Sequence, residues 1–382
     1  MRPGPSNPMC RVTRTLTIAR LVGITLVVVV GWVAVAAAQT MAIGPAQLLY
    51  DDAQMPFTMD GTLATLKRDA TTQFFWHTYG VTTTKWIGTP TSPFQTFVGT
   101  VSWNAVPSGT VPWLMSIYSI SATELLGFVH KEAVQPDGTP IGPPFAISLA
   151  YSTDKGNTWR YLGEIVRPQN TNNNSGGAPY LVVGPYFYVY FNDGTVTVAR
   201  ALVADVITAA RAGTSFKWNK LVGGTFSGDG FASRGDNIIP PNVAGGGFFS
   251  HGDATYNATL NKYLLVLDSQ AGGKLIMAQS SDGVSWPAAD IRVIDNTTCS
   301  TVDGVPGTCQ PATGAGFLCQ TYASLVDEGI SSEDSHVVGN TFSIIFPRKD
   351  LGNYEYDVLY RRQVTIGGGA LPAAPLNLRL TP

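Results

Sequence analysis

The sequence predicts an all-β protein, and both its composition and a recurring turn motif support this prediction. The 382 residues include 41 glycines and 25 prolines, and only 13% of the chain is charged. Short aromatic or β-branched stretches, such as Tyr186–Phe191 and Lys262–Leu267, are bounded by Pro, Asn or Asp. This arrangement is typical of short strands joined by tight turns. One stretch, Ala199–Arg211, is instead expected to form one or two helical turns.

The turn motif occurs at Ser152–Trp159 (STDKGNTW) and, one residue shorter, at Ser280–Trp286 (SSDGVSW). In each copy the Asp can accept hydrogen bonds from turn amides, the Gly can adopt a positive φ, and the Trp can cover the base of a hairpin. The two first serines are 128 residues apart, which fits two repeats of about 64 residues.

Residues 48–368 have room for about five such repeats, so we predict a five-bladed β-propeller. A sandwich or jelly roll of similar length is the alternative, but it does not predict a hairpin that recurs at a fixed period. Both turns resemble the Asp-box turn of sialidases and related propellers. Because that turn joins outer strands of a blade far from the active site, the resemblance implies a structural role for Asp154 and Asp282.

The N-terminal segment predicts export. Four arginines and no acidic residue precede or flank an apolar stretch, Leu21–Ala38, that ends in three alanines. This is the layout of a secretory signal, so we expect a signal peptide at 1–38 and a secreted, extracellular or periplasmic protein. A retained membrane anchor is the alternative, because 18 apolar residues lie near the short limit for a spanning helix. A linker at 39–47, the propeller at 48–368 and a C-terminal tail at 369–382 would follow.

The charge and motif content exclude several functions. Loss of four arginines with the signal segment would take the formal net charge from −2 to −6, and a mildly acidic body without a Lys/Arg cluster has no basic face for nucleic acid. There is no Gly-x-Ser-x-Gly elbow, P-loop or dinucleotide fingerprint. We therefore expect no nucleic-acid partner, and no membrane partner beyond an N-terminal anchor. We also expect a monomer.

Three cysteines, Cys299, Cys309 and Cys319, lie in one Gly/Thr/Pro-rich stretch. In an exported protein two of them can form a disulfide, most simply Cys299 with Cys309, which leaves the third free unless the pairing differs. A metal site is less favoured, since no histidine is nearby and the spacing is not CxxC.

Acidic residues within apolar strand sequence are the candidate functional residues, because the inner strands of a propeller surround a channel in which sites form. Five segments contain such residues: Asp60, Glu132, Asp236, Asp253 and Glu333. Glu132 stands out because it lies two positions after His130 on an apolar strand, and the two side chains should therefore face the same side.

Three stretches resemble the arabinanase- and xylosidase-like group of five-bladed glycosidases: Gly127–Glu132, Gly252–Tyr263 and Ser280–Trp286. The resemblance implies a trio of carboxylates from different blades. We assign Asp60 as the general base, Glu132 as the general acid and Asp253 as a modulating carboxylate, with Asp236 and Glu333 as alternates. Such groups suit the reaction, because one carboxyl must protonate the leaving oxygen while another acts on the opposite face, directly or through water.

Histidines and aromatic residues are the candidate sugar ligands. The four histidines each lie close in sequence to a candidate carboxylate: His77, His130, His251 and His336. The first three, with Trp76 and Tyr256, are predicted to bind substrate, since sugar C–H faces stack on aromatic rings. Ordinary core packing is the alternative for the aromatic residues. We expect no obligatory cofactor, although a calcium or other cation in the channel stays open.

The sequence therefore predicts a secreted glycoside hydrolase that acts on a polysaccharide or oligosaccharide. A non-catalytic carbohydrate-binding or surface-interaction propeller is the first alternative. A sialidase is the second; it would need an arginine cluster, for which Arg234 and Arg348 are available, and a tyrosine beside an acid. An enzyme requires two carboxyls that face one pocket about 5 to 10 Å apart, whereas a binding module does not.

Overall fold

The computed structural model describes residues 40–134, 141–241, 243, 248–269, 274–295, 320–329, 331–348 and 358–367. The predicted signal segment, the tail at 369–382 and the three cysteines of the predicted loop lie outside the described residues. Among the described residues, no helix is long and apolar enough to cross a membrane.

The described strands form five sheets, which are the five blades of a β-propeller. The chain begins with β1 (Thr40–Ile43) and β2 (Gln47–Tyr50). Blade 1 contains β3 (Ala64–Lys67), β4 (Gln73–Tyr79), β5 (Thr82–Thr89) and β6 (Ser92–Thr100). Blade 2 contains β7 (Ser102–Asn104), β8 (Thr110–Ser119), β9 (Leu125–Ala133), β10 (Gly142–Ser152) and β11 (Thr158–Val166).

Blade 3 contains β12 (Tyr180–Val183), β13 (Tyr186–Asn192), β14 (Val196–Leu202), β15 (Asn219–Val222) and β16 (Thr225–Asp229), with α1 (Val203–Arg211) between β14 and β15. Blade 4 contains β17 (Phe248–Phe249), β18 (Ala254–Asn257), β19 (Lys262–Ser269), β20 (Lys274–Ser280) and β21 (Ile291–Asp295), and a short 3₁₀ helix (Ala288–Asp290) precedes β21. The last strands are β22 (Ser324–Asp327), β23 (Val337–Val338), β24 (Thr341–Arg348) and β25 (Val358–Gly367). Of these, β23 pairs in parallel with β18 and so belongs to the sheet of blade 4. The expected helical turns are thus present in α1, but Ala199–Leu202 belongs to β14.

Blade 5 closes the ring with strands from both ends of the described chain. It contains β22, β24 and β25, and the outer edge of β25 pairs with β1 and β2. Thr40 lies opposite Gly367, and Gln47 lies opposite Arg361. Most of the segment that the sequence analysis assigned to a linker is therefore part of blade 5.

Each blade buries both faces, because neighbouring blades pack against them. On β4, Phe75 packs with Met59 and Val326 on the side of blade 5, whereas Trp76 packs with Trp159 of blade 2. Adjacent residues of a strand point to opposite faces. Strands buried on both faces read as nearly continuous apolar sequence, which explains the runs found in the sequence.

The two copies of the turn motif join the third and fourth long strands of blades 2 and 4, two blades apart. Oδ1 of Asp154 accepts hydrogen bonds from the backbone N–H groups of Asn157 and Thr158, at 3.1 and 2.9 Å. Asp282 is bonded in the same way to Val284 and Ser285, at 2.8 and 2.7 Å. Both carboxylates therefore fasten turns at the periphery.

Hydrogen bonds at the five blade junctions hold the inner strands around the channel. From blade 1 onward they are Thr62 Oγ1 to Met115 O (2.6 Å), Tyr180 Oη to Ile117 O (2.6 Å), Gly177 N to Ser250 O (2.7 Å), Leu325 N to Asp253 Oδ2 (3.0 Å) and Leu63 N to Ser324 Oγ (2.7 Å). This ring places the beginnings of the inner strands at one mouth of the channel, where side chains from all blades can meet.

Candidate functional site

A narrow pocket opens at this mouth, and we call it the carboxylate pocket. Its nine described lining residues come from all five blades: Asp60, Trp113, Met115, His130, Glu132, Asn174, Gly176, His251 and Tyr322. The cavity volume is about 30 Å³, which is room for one or two water molecules. Four of the residues predicted from the sequence, Asp60, His130, Glu132 and His251, are therefore brought together.

Asp60 lies in the loop before β3 and is held through both its backbone and its side chain. Its backbone N–H donates a hydrogen bond to Nε2 of His77 at 3.2 Å, and its Oδ1 accepts one from the hydroxyl of Tyr322 at 2.8 Å. Burial raises the pKa of Asp60, the hydrogen bond from Tyr322 lowers it, and the negative charge of Glu132 raises it. The two carboxyl groups are therefore close enough to influence each other.

Glu132 and His130 lie on the same face of β9, as the two-residue spacing predicts. Nε2 of His130 is 3.0 Å from Oε1 of Glu132, and its Nδ1 is 3.0 Å from Oγ of Ser175. The imidazole is buried, and its centroid lies 5.8 Å from the ring of Phe145. These contacts on both nitrogens fix the ring, so His130 orients the carboxyl group of Glu132.

His251 enters the pocket from the segment before β18, with a buried aspartate behind it. Its Nδ1 is 3.6 Å from Oδ2 of Asp268, and its Nε2 is 3.5 Å from Oδ1 of Asn174. Burial and the neighbouring His130 lower the pKa of His251 to about 3, so its ring is neutral at neutral pH. Burial also raises the pKa of Asp268, whose Oδ2 accepts a hydrogen bond from the Thr321 hydroxyl.

Asp253, the expected modulating carboxylate, lies outside the carboxylate pocket, which corrects the predicted trio. Its Oδ2 and Oδ1 accept hydrogen bonds from the backbone N–H groups of Leu325 and Ala254, at 3.0 and 2.8 Å. It lines a smaller cavity deeper in the channel, together with Asp334 and His336. Burial raises the pKa of Asp253 to about 7. Its Oδ2 thus joins blade 4 to blade 5, and the described acidic residues that line the carboxylate pocket are Asp60 and Glu132.

The two alternates also lie elsewhere. Oδ2 of Asp236 accepts a hydrogen bond from the Gly224 N–H at 2.8 Å, in a turn of blade 3. Glu333 lines a depression with Lys67 and Ser119, at the end of the inner strands opposite the pocket. Neither side chain can act on a bond held between Asp60 and Glu132.

Two of the predicted sugar ligands prove to be packing residues. Trp76 is fully buried between blades 1 and 2, where its Nε1 donates a hydrogen bond to the Gly156 carbonyl at 2.9 Å. Tyr256 lies toward the end of β18 remote from the pocket, where its hydroxyl bonds to Asn261. His77 is behind Asp60 rather than in the pocket, and burial lowers its pKa to about 3.

Sequence reasoning missed further residues of the site, among them Tyr322, Asn174 and Asp268, which contact the predicted residues Asp60 and His251. Tyr322 and Asn174 lie in loops without apolar periodicity or an acidic residue, so no sequence signal pointed to them. Asp268 directly follows the apolar run Lys262–Leu267, and an acidic residue at the end of a buried strand was a signal that could have been used.

The pocket does not have the composition of a sialidase site. Tyr322 does lie beside an acid, but no arginine is among the described lining residues. Arg348 bonds instead to Asp295 at 2.6 Å, and Arg234 lies beside Gly194 in blade 3. Within the described residues, no group of three or more His, Cys, Asp or Glu side chains is placed to hold a metal ion.

Fold and pocket together define a five-bladed β-propeller with paired carboxylates at one mouth of its channel. No family model and no curated protein matches the chain. Similar solved structures include a protein of unknown function from Dyadobacter fermentans (13% identity, TM-score 0.45, 84% of this chain and 79% of that one). An exo-inulinase from Aspergillus awamori (10%, 0.46, 82% and 63%) and a family 117 glycoside hydrolase from Zobellia galactanivorans (10%, 0.44, 86% and 91%) are also similar. At these identities the likeness concerns the fold alone, so the pocket must supply the argument about function.

Proposed function

We propose that the protein is a glycoside hydrolase that cleaves a polysaccharide or oligosaccharide at the carboxylate pocket. The observation that supports this is that Asp60 and Glu132, from different blades, line one narrow cavity with room for water. Glycosidic cleavage needs such a pair, because the leaving oxygen requires a proton while a carboxylate acts on the opposite face. Asn174, His130 and His251 add groups that can bind sugar hydroxyls.

The electrostatics favour roles that are the reverse of those expected from the sequence. Burial and the charge of Glu132 raise the pKa of Asp60, which favours a protonated Asp60. We therefore assign Asp60 as the general acid, and Glu132, oriented by His130, as the carboxylate that acts on water or on the anomeric carbon.

Substrates with different leaving groups test both the activity and the roles. The purified protein is screened against arabino-, xylo- and fructo-oligosaccharides and against aryl glycosides with 4-nitrophenyl and 2,4-dinitrophenyl leaving groups. We expect Asp60→Asn to lose about 100-fold or more on oligosaccharides but much less on a dinitrophenyl glycoside, which leaves without a proton. Glu132→Gln should lose activity on both substrates.

Asp236→Asn is the matched control, since it changes a carboxylate outside the pocket and should leave activity unchanged. Equal activity of Glu132→Gln and the parent would remove Glu132 from the mechanism. If the parent binds these glycans but cleaves none, the non-catalytic carbohydrate-binding propeller is the correct alternative.

We also propose that the protein is exported, on the basis of the N-terminal segment alone. Fractionation of cells that express the full chain, followed by N-terminal sequencing of the product, tests this proposal. A mature chain that begins near Gln39 in the exported fraction is expected, and an intact chain in the cytoplasm would contradict it.

A further inference from the structure

A second and larger depression lies on blade 1, and we call it the aromatic groove. Its volume is about 460 Å³, within the range of small-molecule binding sites. Four aromatic residues and two threonines are among its lining residues: Phe57, Tyr79, Trp86, Phe97, Thr82 and Thr84. Asp, Glu, Lys and Arg are absent from its described lining.

Two rings of the groove are exposed, and two are held by contacts with one another. Tyr79 and Phe97 have exposed fractions of 46% and 52%. The ring centroids of Trp86 and Phe97 are 5.0 Å apart, and Trp86 also contacts the edge of Phe94 at 5.7 Å. Nε1 of Trp86 donates a hydrogen bond to Oγ1 of Thr84 at 3.1 Å. Such a wall presents flat apolar surface and hydroxyl groups, and the contacts of Trp86 lower the entropy lost when a ligand binds against its ring.

The aromatic groove and the carboxylate pocket share a wall. The ring of Phe57 stacks on His77 with centroids 4.2 Å apart and planes 7° apart. Nε2 of the same imidazole accepts the hydrogen bond from the backbone of Asp60 at 3.2 Å. Asp60 lines the pocket and His77 lines the groove, so one histidine layer separates the two. Strand directions agree with this, because Ala64 of β3 lies opposite Trp76 of β4, which places the β4–β5 turn at the same mouth as Asp60.

We propose that the aromatic groove is a binding subsite for a further unit of the glycan whose bond lies at the carboxylate pocket, and that this glycan is uncharged. The inference rests on the proposed function. Sugar rings present C–H faces that stack on aromatic side chains such as Tyr79 and Phe97, while the threonines can bond to hydroxyls. An anionic glycan would need cationic partners, and no Lys or Arg is among the described lining residues of either depression.

Affinity as a function of chain length tests this proposal. The Glu132→Gln protein is titrated calorimetrically with di- and hexasaccharides of arabinan, xylan and inulin and with hexagalacturonate. We expect at least one neutral hexasaccharide to bind about tenfold or more tightly than its disaccharide, and hexagalacturonate to bind more weakly than that hexasaccharide.

Adding Tyr79→Ala or Phe97→Ala to this background should weaken hexasaccharide binding about tenfold and leave disaccharide binding unchanged. Phe231→Ala is the matched control, because Phe231 is another exposed phenylalanine, on blade 3, with an exposed fraction of 37%. It should change neither affinity. Two groove variants at exposed positions, each checked by thermal unfolding, guard against a simple folding defect.

The proposal is overturned if no neutral glycan gains affinity with length, if the control weakens binding as much as Phe97→Ala, or if hexagalacturonate binds best. The outcome is separable from the hydrolase assignment. Length-dependent binding that requires Tyr79, without cleavage by the parent, would retain the groove and reject the hydrolase. Cleavage without length dependence would do the opposite.

Discussion

The hydroxyl of Tyr322 donates a hydrogen bond to Oδ1 of Asp60 at 2.8 Å, across the junction between blade 5 and blade 1. This bond lowers the pKa of Asp60, against the larger effect of burial, which raises it. Closure of the propeller therefore brings the hydroxyl of Tyr322, in blade 5, into a position where it lowers the pKa of Asp60, in blade 1.

Replacement of Tyr322 by phenylalanine should shift the pH dependence of hydrolysis. The variant lacks the donor that favours the charged form, so the pKa of Asp60 should rise further. Because the general acid must be protonated, the alkaline limb of the kcat/KM profile should move to higher pH. Tyr186→Phe, outside the pocket, should leave the profile unchanged. A shift to lower pH, or none, would show that Asp60 does not set this limb.

Replacement of Asp268 by asparagine should disturb the orientation of the His251 ring, although Asp268 itself does not contact the substrate. Oδ2 of Asp268 is 3.6 Å from Nδ1 of His251, so the variant changes the group that orients the ring. We expect kcat/KM to fall by up to about 100-fold with the fold retained. Rescue by Asp268→Glu would support positioning by a carboxylate. An unchanged kcat/KM in the asparagine variant would show that the orientation of His251 is immaterial.

Replacement of Asp253 by asparagine should reduce the pH dependence of stability. The folded-state pKa of Asp253, about 7, lies above its ordinary value of 3.8, so its contribution to stability is complete below about pH 4 and is lost as the pH rises toward 7. The amide cannot ionise. Between pH 4 and 7, the difference in free energy of unfolding (variant minus parent) should therefore increase by up to about 1.4 kcal/mol per pH unit. Denaturation curves measured across this range check it. Parallel curves for parent and variant would contradict the buried titration.

Replacement of Asp154 by alanine should separate stability from activity. Its Oδ1 accepts two backbone hydrogen bonds in a turn at the periphery of blade 2. Because water can reach the freed N–H groups of this partly exposed turn, their loss should cost about 0.5–1.5 kcal/mol. Urea denaturation should show the loss, while kcat/KM stays unchanged. Asp282→Ala offers the equivalent test in blade 4. A loss of activity in the stable fraction would argue against a purely structural role.

The propeller could be predicted from the sequence because strand burial and turn chemistry depend on residues that are close together in the chain. The recurring Ser-x-Asp turn marked the outer hairpins of blades 2 and 4, and period-two alternation placed His130 and Glu132 on one face of β9. Trp76 was misassigned for the same geometric reason. Its neighbour His77 supports Asp60, and adjacent strand residues face opposite sides, so Trp76 faces blade 2.

The rest of the site depends on contacts distant in sequence. Tyr322 reaches Asp60 across 262 positions, and nothing in its loop marks it as a partner. Asp253 lies in the kind of sequence expected to supply a catalytic carboxylate, but its Oδ2 accepts a hydrogen bond from the backbone of Leu325 in the next blade. The packing of the inner strands against one another determines which acidic residues face the pocket. The sequence pattern of a single strand does not contain that information.

A double-variant cycle of Asp60→Asn and Glu132→Gln tests the central claim most directly. Residues that act as one catalytic unit are strongly non-additive, so the double variant should have nearly the same kcat/KM as the more impaired single variant. Losses that simply add in free energy, or full activity in either single variant, would contradict a carboxylate pair acting on one bond.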